Sequence, residues 1–388
     1  MSNELSQKTR TVRAALETDT QHGAVVPPLH LTSTFAFSAY GEKRQYDYSR
    51  SGNPTRDALG SALAELEGGA GAVVTSSGMA AVALVTQLFR PDQLAVVPHD
   101  CYGGTYRLFN ALDLRGALRV RFVDYHADGA LDAALAEQPA LVWIETPSNP
   151  LLRIVDIAAV SARAKACGAL VVADNTFLSP VWQRPLELGA DVVLHSTTKY
   201  LNGHSDVVGG AVIAKSQETH DQIKWWGNCI GVTGAPFDSF LTLRGLRTLH
   251  ARMRAHGENA AKVVELLAGH PAVSSVYYPG LATHPGHAIA RRQQQGFGAM
   301  VSFELAGSLD HVKAFLGGVH LFSLAESLGG VESLVAHPAS MTHAAMDEAA
   351  RARAGLSDTL VRLSIGIEDG EDLVRDLRAG LDAAAAAR

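Results

Sequence analysis

Ionisable side chains follow two apolar segments in the middle of the chain. The segment ALVVA is followed by Asp174, and the segment DVVLH is followed within a few residues by Lys199. In open α/β sheets, ligands bind beyond the carboxyl ends of the strands, so both side chains are candidates for one site. A lysine that desolvation keeps partly deprotonated is a nucleophile toward aldehydes, and the product is a Schiff base. The alternative for Lys199 is an ion pair, or an amine that extends to solvent.

Asp174 adds a second chemical function at the same predicted sheet edge. A carboxylate there can pair with the nitrogen of a pyridinium ring and keep that ring an electron sink. Helix capping or a surface turn is the alternative role for an aspartate at a strand end. Together, Lys199 and Asp174 favour catalysis through a heteroaromatic aldehyde that is bound covalently to the lysine.

A predicted helix start provides a candidate phosphate site. The segment GAVVTSSGMAAVALVTQLF predicts a strand, a turn and a helix that begins near Met79. Free backbone N–H groups and the helix dipole at such a start attract a phosphate, here at Gly78 and Met79. The dipole contributes only about 0.3–1 kcal/mol, so charge-assisted bonds must add to it, and Ser196 and Thr198 offer hydroxyls. An ordinary helix N-cap is the alternative.

Tyr102 is the aromatic candidate for the same site. It follows the predicted strand that ends at Pro98, where its face could stack on a planar ring, and core packing is the alternative. Cys101 has no paired His or Lys motif and is not interpreted as a reactive thiol. His284 and His287 lack a credible third ligand, so the sequence predicts no metal site.

Composition argues against several classes of function. The chain has 388 residues and a net charge of -6, which disfavours nucleic acid and anionic membranes because both attract clustered Lys and Arg. Its 3 cysteines form no CxxC pair and predict neither disulfides nor a zinc site. No signal segment or run of ~18 apolar residues is present, so we expect a cytoplasmic protein with no membrane partner. No dinucleotide-binding glycine fingerprint follows a strand, which disfavours an NAD-dependent dehydrogenase, the rival enzyme class.

Seven short β-rich segments alternate with helical stretches between about residues 70 and 215. They are GAVVT, LAVVP, VRFVD, ALVWIE, ALVVA, DVVLH and GAVIA. Most are continuously apolar, which is typical of strands covered by helices on both faces. The sequence therefore predicts an α/β fold with a mostly parallel central sheet.

The chain length favours one large and one smaller domain. We expect residues 1–55 to form an extended N-terminal arm, residues 56–249 a large domain, and residues 250–388 a smaller α/β domain. Helical spacing of Leu, Phe and Val over residues 234–270 predicts one long helix that joins the domains. The segments VSSVYY, AMVSFEL and TLVRLSI predict strands of the smaller domain.

The chain resembles the pyridoxal-phosphate (PLP) enzymes of Cys/Met metabolism, the trans-sulfuration enzymes. The segments that carry the resemblance span nearly the whole chain: YDYSRSGNPTRD, SSGMAA, PHDCYGGTYRLF, WIETPSNP, VVADNTFLSP, HSTTKYLNGHSDVVGG, IGVTG, FDSFLTLRGLRTL, LFSLAESLGGVESL, MTHA and LVRLSIGIED. The resemblance implies the aspartate-aminotransferase type of PLP fold, fold type I, in a homotetramer built from two tight dimers. It also implies PLP bound covalently as a Schiff base to Lys199.

The resemblance also implies roles for individual cofactor-binding residues. Lys199 would carry the cofactor and move protons, Asp174 would partner the pyridine nitrogen, and Tyr102 would stack on the ring. Tyr48 and Arg50 would reach across from the neighbouring subunit, which accounts for the polar N-terminal arm. The residues expected to hold the phosphate are Gly78 and Met79, by their backbone, with Ser196 and Thr198.

Six further residues are expected to bind the substrate. Arg362 with Asn149 and Ser327 resembles a clamp for the α-carboxylate, consistent with the bidentate geometry of arginine. The residues that resemble the distal pocket, which separates family members by substrate, are Asp47, Arg107 and Glu326.

The resemblance implies a γ-replacement that belongs to methionine biosynthesis. O-succinyl-L-homoserine, or its O-acetyl analogue, would react with L-cysteine to give L-cystathionine. Lys199 would serve each proton transfer, because one amine within hydrogen-bond reach can alternate as base and acid.

Two alternatives to the γ-replacement stay open. A γ-lyase would cleave L-cystathionine to cysteine, 2-oxobutyrate and ammonia. Ser51 stands where the synthase pattern has a second arginine, as in lyases, and YPGLATHPGH is also lyase-like. A regulator or scaffold of the same fold without catalysis is disfavoured because Lys199, Asp174 and Tyr102 are all present.

Overall fold

A seven-stranded sheet forms the centre of the computed structural model, which describes residues 5–341 and 355–387. Its strands are β1 (Gly71–Thr75), β2 (Leu94–Pro98), β3 (Arg119–Val123), β4 (Leu141–Glu145), β5 (Leu170–Asp174), β6 (Val192–His195) and β7 (Gly210–Ala214). They lie in the order β1-β7-β6-β5-β4-β2-β3. Only β7 runs antiparallel to its neighbours, β1 and β6. The prediction of a mostly parallel sheet built from these seven segments is confirmed.

Burial on both faces explains why most of the strand segments are continuously apolar. Val171 and Ala173 of β5 pack into one hydrophobic cluster, whereas Val172, between them, packs into a second cluster with Val192 and Leu194. Successive side chains of a strand point to opposite faces, so the two clusters lie on the two sides of the sheet. The sheet therefore separates two cores, and its polar side chains are left at the strand ends.

Helices connect and cover the strands. In the first part of the chain they are α1 (Gln7–Val12), α2 (Pro54–Glu67), α3 (Gly78–Thr86), α4 (Gly103–Leu114), α5 (Ala130–Leu135), α6 (Ile157–Ala166), α7 (Ser179–Trp182) and α8 (Gln217–Ile230). Asn53 caps α2 by accepting hydrogen bonds from the backbone N–H groups of Thr55 and Arg56. Polar caps of this kind satisfy donors that the first helical turn leaves free.

The prediction of one long helix over residues 234–270 is wrong. The structure has two helices there, α9 (Pro236–Leu246) and α10 (Leu249–Gly269). The carbonyl of Gly245 accepts hydrogen bonds from the Arg252 guanidinium and the Thr248 hydroxyl, and the same guanidinium donates to the carbonyl of Tyr200. The carbonyl of Gly245, near the end of α9, is thus hydrogen-bonded to side chains. The helical spacing of apolar residues does not reveal such contacts.

A second, five-stranded sheet follows α10. Its strands are β8 (Val273–Tyr277), β9 (Met300–Leu305), β10 (Ser323–Leu324), β11 (Leu334–Ala336) and β12 (Leu360–Ser364), in the order β10-β11-β12-β9-β8. The pairs are antiparallel except for β10 and β11. The remaining helices are α11 (His287–Gln293), α12 (Leu309–Gly318), a 3-10 turn (Pro338–Ser340) and α13 (Gly370–Ala386). The three predicted strands are confirmed as β8, β9 and β12, whereas β10 and β11 were not predicted.

The N-terminal segment has little regular structure after α1. An isolated bridge joins Thr34 to Tyr48, and Leu31, Phe37 and Tyr40 are exposed. The domain boundaries after residues 55 and 249 stay predictions. In the part of the chain that the structure describes, no helix combines the length and apolar character of a membrane span.

Candidate active site

A cleft of about 570 Å³ lies at the carboxyl ends of β4, β5 and β6. The predicted site residues that line it are Gly78, Met79, Tyr102, Arg107, Asn149, Asp174, Ser196, Thr198, Lys199, Glu326, Ser327 and Arg362. They come from both the seven-stranded and the five-stranded parts of the fold. The location agrees with the rule that ligands of open α/β sheets bind at the carboxyl ends of the strands.

Lys199 lies in the turn that follows β6. Its backbone N–H donates to the carbonyl of Ser196, and its side-chain Nζ donates a hydrogen bond of 2.7 Å to Oγ of Ser327. Burial lowers the pKa of Lys199 to about 8, the Arg362 guanidinium adds to this effect, and Glu326 opposes it. A lysine with this pKa is partly neutral near pH ~7, and the neutral amine is the form that can attack an aldehyde or accept a proton.

Asp174 lies beside a second carboxyl group, Glu145. The two residues are paired in register at the ends of β5 and β4, and both line the cleft. Burial raises the pKa of Asp174, whereas hydrogen bonds from the hydroxyl and backbone of Thr176 lower it. Burial also raises the pKa of Glu145 well above its usual value, and the neighbouring Asp174 adds to this.

Glu145 was missed by the sequence reasoning. Its Oε2 accepts a hydrogen bond of 2.8 Å from the backbone N–H of Tyr102, so it fixes the start of α4. Glu145 ends a strand segment as Asp174 does, and the same rule on strand ends would have found it.

The start of α3 lines the cleft as the candidate phosphate site. Ser77 caps this helix, because its hydroxyl accepts from the backbone N–H of Ala80. A Cβ on Gly78 would lie 2.9 Å from Cβ of Ser196, so only glycine allows this close approach. Free N–H groups and the dipole at a helix start favour an anion. The Thr198 hydroxyl already exchanges hydrogen bonds with the backbone of Gly209.

The Tyr102 ring is partly exposed in the cleft. It precedes α4 at the N-cap position and is 43 % exposed, which speaks against simple core packing. A Cβ on Gly104 would lie 2.5 Å from this ring and 2.7 Å from Sδ of Met79, so glycine lets the ring lie against the helix start. A partly exposed ring in the cleft can stack on a planar group that binds there.

Arg362 is a buried cation on β12 with two partners at the cleft. Its Nη1 donates to Oδ1 of Asn149 at 3.0 Å, and its Nη2 donates to the carbonyl of Ser327 at 2.9 Å. The residue is 2 % exposed, and burial lowers its pKa to about 10. A held, planar guanidinium of this kind suits a carboxylate ligand.

Three predicted residues lie away from this cleft in the same chain. The Arg50 guanidinium lies 5.4 Å from the ring centre of Tyr48 and donates to Oδ1 of Asn228 at 3.1 Å. Asp47 accepts a hydrogen bond of 2.8 Å from the hydroxyl of Ser51. Arg50 and Ser51 line a separate groove of about 1250 Å³. Asp47, Tyr48 and Arg50 thus do not line the cleft of their own chain.

Cys101 directly precedes Tyr102, which lines the cleft. Cys101 is buried, and burial raises the pKa of its thiol well above the usual value. Within residues 5–341 and 355–387, no group of three His, Cys, Asp or Glu side chains is arranged to hold a metal ion.

Comparison with known proteins identifies the family to which this site belongs. The family model described as "Cys/Met metabolism PLP-dependent enzyme" matches residues 8–382. The chain belongs to this family. Its members bind pyridoxal phosphate on a lysine, so the chain is a PLP-dependent enzyme of the cystathionine γ-synthase and lyase type.

Relatives in this family include both synthases and lyases. Cystathionine gamma-synthase of Escherichia coli (strain K12) is 59% identical over 379 residues, which are 97% of this chain and 98% of that protein. Cystathionine gamma-lyase of Dictyostelium discoideum is 46% identical over 375 residues, 96% of this chain and 97% of that protein. The crystal structure of cystathionine gamma synthase from Xanthomonas oryzae pv. oryzae in complex with cystathionine has a TM-score of 0.97 and 63% identity, and covers 98% of this chain and 99% of that one.

The residues of the cleft fit PLP. Gly78 lacks the Cβ that would meet Ser196, so the start of α3 stays open toward the cleft, and a helix start suits a phosphate. Asp174 offers a carboxylate for the ring nitrogen of PLP. Lys199 has the lowered pKa that bond formation with an aldehyde requires. Covalent attachment at Lys199 and stacking on Tyr102 stay predictions for this chain.

Proposed function

We propose that the protein is a cystathionine γ-synthase. It joins O-succinyl-L-homoserine, or the O-acetyl analogue, to L-cysteine and releases the acyl group as a carboxylate. The observation that carries the proposal is the bridge from Lys199 to Arg362 through Ser327. It supports a site in which an amine that can transfer protons lies close to a buried cation that can bind a carboxylate. The 59% and 63% identities to two synthases over nearly the whole chain favour γ-replacement within the family.

Lys199 would perform the proton transfers of this reaction. PLP, when bound, supplies an electron sink that makes the protons on Cα and Cβ of the substrate acidic. The Lys199 amine, with a pKa of about 8, can accept such a proton and return it near neutral pH. The C–O bond at Cγ breaks, the acyl carboxylate leaves with the bonding electrons, and the sulfur of the cysteine thiolate forms the new bond to Cγ.

Arg362 would bind the α-carboxylate of the amino-acid substrate. Its bonds to Asn149 and to the carbonyl of Ser327 fix the guanidinium plane before substrate arrives. Among the described residues, its buried Nε has no hydrogen-bond partner. A donor without a partner is costly when buried, and a carboxylate ligand would remove that cost.

Arg107 and Glu326 would contact the distal part of the substrate. Both line the cleft and both are exposed. A succinyl group carries a second carboxylate, for which Arg107 supplies the opposite charge. We therefore expect the O-succinyl substrate to depend on Arg107 more than the O-acetyl substrate does.

A second copy of the chain would complete each cleft. Tyr48 and Arg50 are exposed, and neither lines the cleft of its own chain. An arginine and a tyrosine hydroxyl suit the phosphate of PLP, which a helix start and neutral hydroxyls alone hold weakly. We propose that Tyr48, Arg50 and Asp47 act in the cleft of a partner, within a tetramer built from two dimers.

A γ-lyase is the second candidate function. Ser51 favours it, because a neutral serine stands where the synthase pattern has a second arginine, and its hydroxyl is bound to Asp47 and to the carbonyl of Tyr48. Identity of 46% to a γ-lyase over nearly the full chain also supports it. The two activities differ in whether the Cγ–S bond is formed or broken.

Parallel turnover measurements separate the two candidates. The protein is incubated with O-succinyl-L-homoserine plus L-cysteine, and separately with L-cystathionine, and both product sets are quantified. The synthase proposal requires kcat/KM for cystathionine formation to exceed that for cystathionine breakdown by at least about tenfold, or ~1.4 kcal/mol. Breakdown to cysteine, 2-oxobutyrate and ammonia as the faster reaction would reverse the assignment.

A further inference from the structure

A buried polar cluster lies next to the cleft but does not line it. Glu67, the last residue of α2, accepts two hydrogen bonds on the same oxygen, Oε1. One comes from Nε2 of His195 at 2.6 Å and the other from Nδ2 of Asn175 at 2.9 Å. The three residues are 0–1 % exposed, so water does not compete for these bonds.

The two donors flank residues of the active site. His195 ends β6 and immediately precedes Ser196, whereas Asn175 immediately follows Asp174 at the end of β5. The backbone N–H of Asn175 also donates to the carbonyl of Leu194 in the neighbouring strand. One carboxylate therefore holds the ends of both strands that present Asp174 and Ser196.

Gln183 extends the cluster to a third strand end. Its carbonyl and its side chain both bond to Asn175, and its Nε2 donates to the carbonyl of Thr146, directly after β4. Its Oε1 accepts from Gln293 and Gln294 at the end of α11. Side-chain amides thus connect the ends of β4 and β5 behind the cleft.

The cluster is poorly explained as a device for stability. A buried carboxylate costs free energy unless it is fully paired, and apolar side chains of similar size usually serve stability as well. Oε2 of Glu67 and Nδ1 of His195 have no hydrogen-bond partner among residues 5–341 and 355–387. Unpaired buried atoms of this kind call for another reason, such as a requirement for defined geometry.

We propose that Glu67 is a positioning residue for the cofactor site. It fixes the carboxyl ends of β5 and β6 through Asn175 and His195, and so sets the places of Asp174 and Ser196 toward PLP. It is not a catalytic residue, because it does not line the cleft. The proposal depends on the placement of PLP against Asp174 and Ser196, but not on which sulfur substrate the enzyme uses.

The test compares PLP binding by three variants of the full-length protein. Glu67→Ala removes the shared acceptor, Glu67→Gln keeps an oxygen in its place, and Leu63→Ala makes a cavity one turn earlier in α2, where Leu63 is fully buried. Each apoprotein is titrated with PLP, and the visible circular dichroism of the bound cofactor is recorded. The melting temperature of each apoprotein reports general destabilisation.

We expect Glu67→Ala to weaken PLP binding at least tenfold and to change the visible circular dichroism band. Glu67→Gln should stay within threefold of wild type, because both donors retain their acceptor. Leu63→Ala should lower the melting temperature without a comparable change in PLP affinity. The proposal fails if Glu67→Ala binds PLP normally, if Glu67→Gln loses as much as Glu67→Ala, or if Leu63→Ala weakens PLP equally.

A second variant decides the matter if Glu67→Ala does not fold. Asn175→Ala removes one donor and leaves Glu67 and His195 paired, so PLP affinity should fall by at least threefold, and unchanged affinity would overturn the proposal. Titration of Asp174→Ala separates this inference from the proposed cofactor placement. If Asp174→Ala binds PLP as wild type does, the placement itself is wrong, whatever the Glu67 variants show.

Discussion

Lys199 and Ser327 share a hydrogen bond of 2.7 Å across 128 residues of sequence. The amine follows β6, whereas the hydroxyl belongs to the irregular segment between β10 and β11. The carbonyl of the same serine accepts a hydrogen bond from Arg362. Ser327 therefore couples the position of the Lys199 amine to that of the Arg362 guanidinium, the two groups to which we assign proton transfer and carboxylate binding.

Replacing Ser327 with alanine should affect catalysis more than substrate binding. Ser327→Ala removes the hydroxyl partner of Lys199 but keeps the backbone carbonyl that holds Arg362. A hydrogen bond to a charged group contributes about 1.5–3 kcal/mol, so we expect kcat to fall at least about tenfold. KM should change by less than about threefold, or ~0.6 kcal/mol.

Steady-state kinetics of Ser327→Ala and of Ser161→Ala check this expectation. Ser161 is equally a buried serine, but it lies in α6 and its hydroxyl has no partner among the described residues. Ser161→Ala should leave both constants unchanged. If Ser327→Ala instead raised KM about tenfold and left kcat unchanged, the role given to the hydroxyl would be contradicted.

The rate of PLP attachment should rise with pH around the lowered pKa of Lys199. Only the neutral amine attacks an aldehyde, and burial lowers its pKa to about 8 from the usual value of about 10.4. The neutral fraction therefore grows from a minority below pH ~7 to a majority above pH ~9. Reconstitution of apoprotein followed by stopped-flow absorbance should show a midpoint near 8.

Two charge-removing variants test the sign of this pH dependence. Glu326 raises the pKa of Lys199, so Glu326→Gln should move the midpoint to lower pH. Arg362 lowers that pKa, so Arg362→Met should move the midpoint to higher pH. Shifts in the same direction for both variants would show that the two charges do not act on the amine as described.

An alanine at position 78 should impair PLP binding. The added Cβ would lie 2.9 Å from Cβ of Ser196 and 3.2 Å from its Cα, so the start of α3 must move away from β6. We expect PLP affinity to fall at least about tenfold, which corresponds to ~1.4 kcal/mol. Titration of the apoprotein with PLP measures this change.

Gly317 provides the matched control for this substitution. It lies within α12, and a Cβ there would meet no atom within 4 Å. Gly317→Ala should raise stability by about 0.5–1 kcal/mol through helix propensity and leave PLP affinity unchanged. Weak PLP binding by both variants would point to a general effect of added methyl groups.

The central sheet could be predicted because most of its strands are continuously apolar, as β2, β6 and β7 are. Alternate residues such as Val171 and Val172 pack into separate cores, so the pattern is strong even in five-residue strands. The strands β10 and β11 have two and three residues and carry no such pattern. The break between α9 and α10 depends on Arg252, whose partners Gly245 and Tyr200 are brought together only by the fold.

The site could be predicted in part from residues alone. Lys199 and Asp174 follow apolar strands, and this position marks them as candidates without any relative. Arg362 lies inside β12 and Ser327 in an irregular segment, so only the family resemblance indicated them. Glu67 has no local signal, because its partners are more than 100 residues away along the chain.

Removing the Arg362 guanidinium should raise KM for the amino-acid substrate far more than it lowers the affinity for PLP. Arg362→Ala deletes the buried cation that faces Asn149 and Ser327. Loss of a bidentate partner for a carboxylate costs about 2–5 kcal/mol, so KM for the amino-acid substrate should rise at least about thirtyfold. PLP affinity, measured by titration, should change little. An equal loss of PLP would show that Arg362 supports the cofactor instead.

Mixing two inactive variants should restore activity if Arg50 serves a neighbouring cleft. Lys199→Ala and Arg50→Ala are each expected to be nearly inactive. In a mixed two-fold dimer, one cleft would combine an intact Lys199 with an intact Arg50 from the other chain, so random mixing should return about a quarter of the wild-type activity. A control mixture of Lys199→Ala with Asp174→Ala should stay inactive, because both residues line the cleft of one chain. Absence of recovery in the first mixture, with mixed dimers shown to form, would place Arg50 outside the partner's cleft.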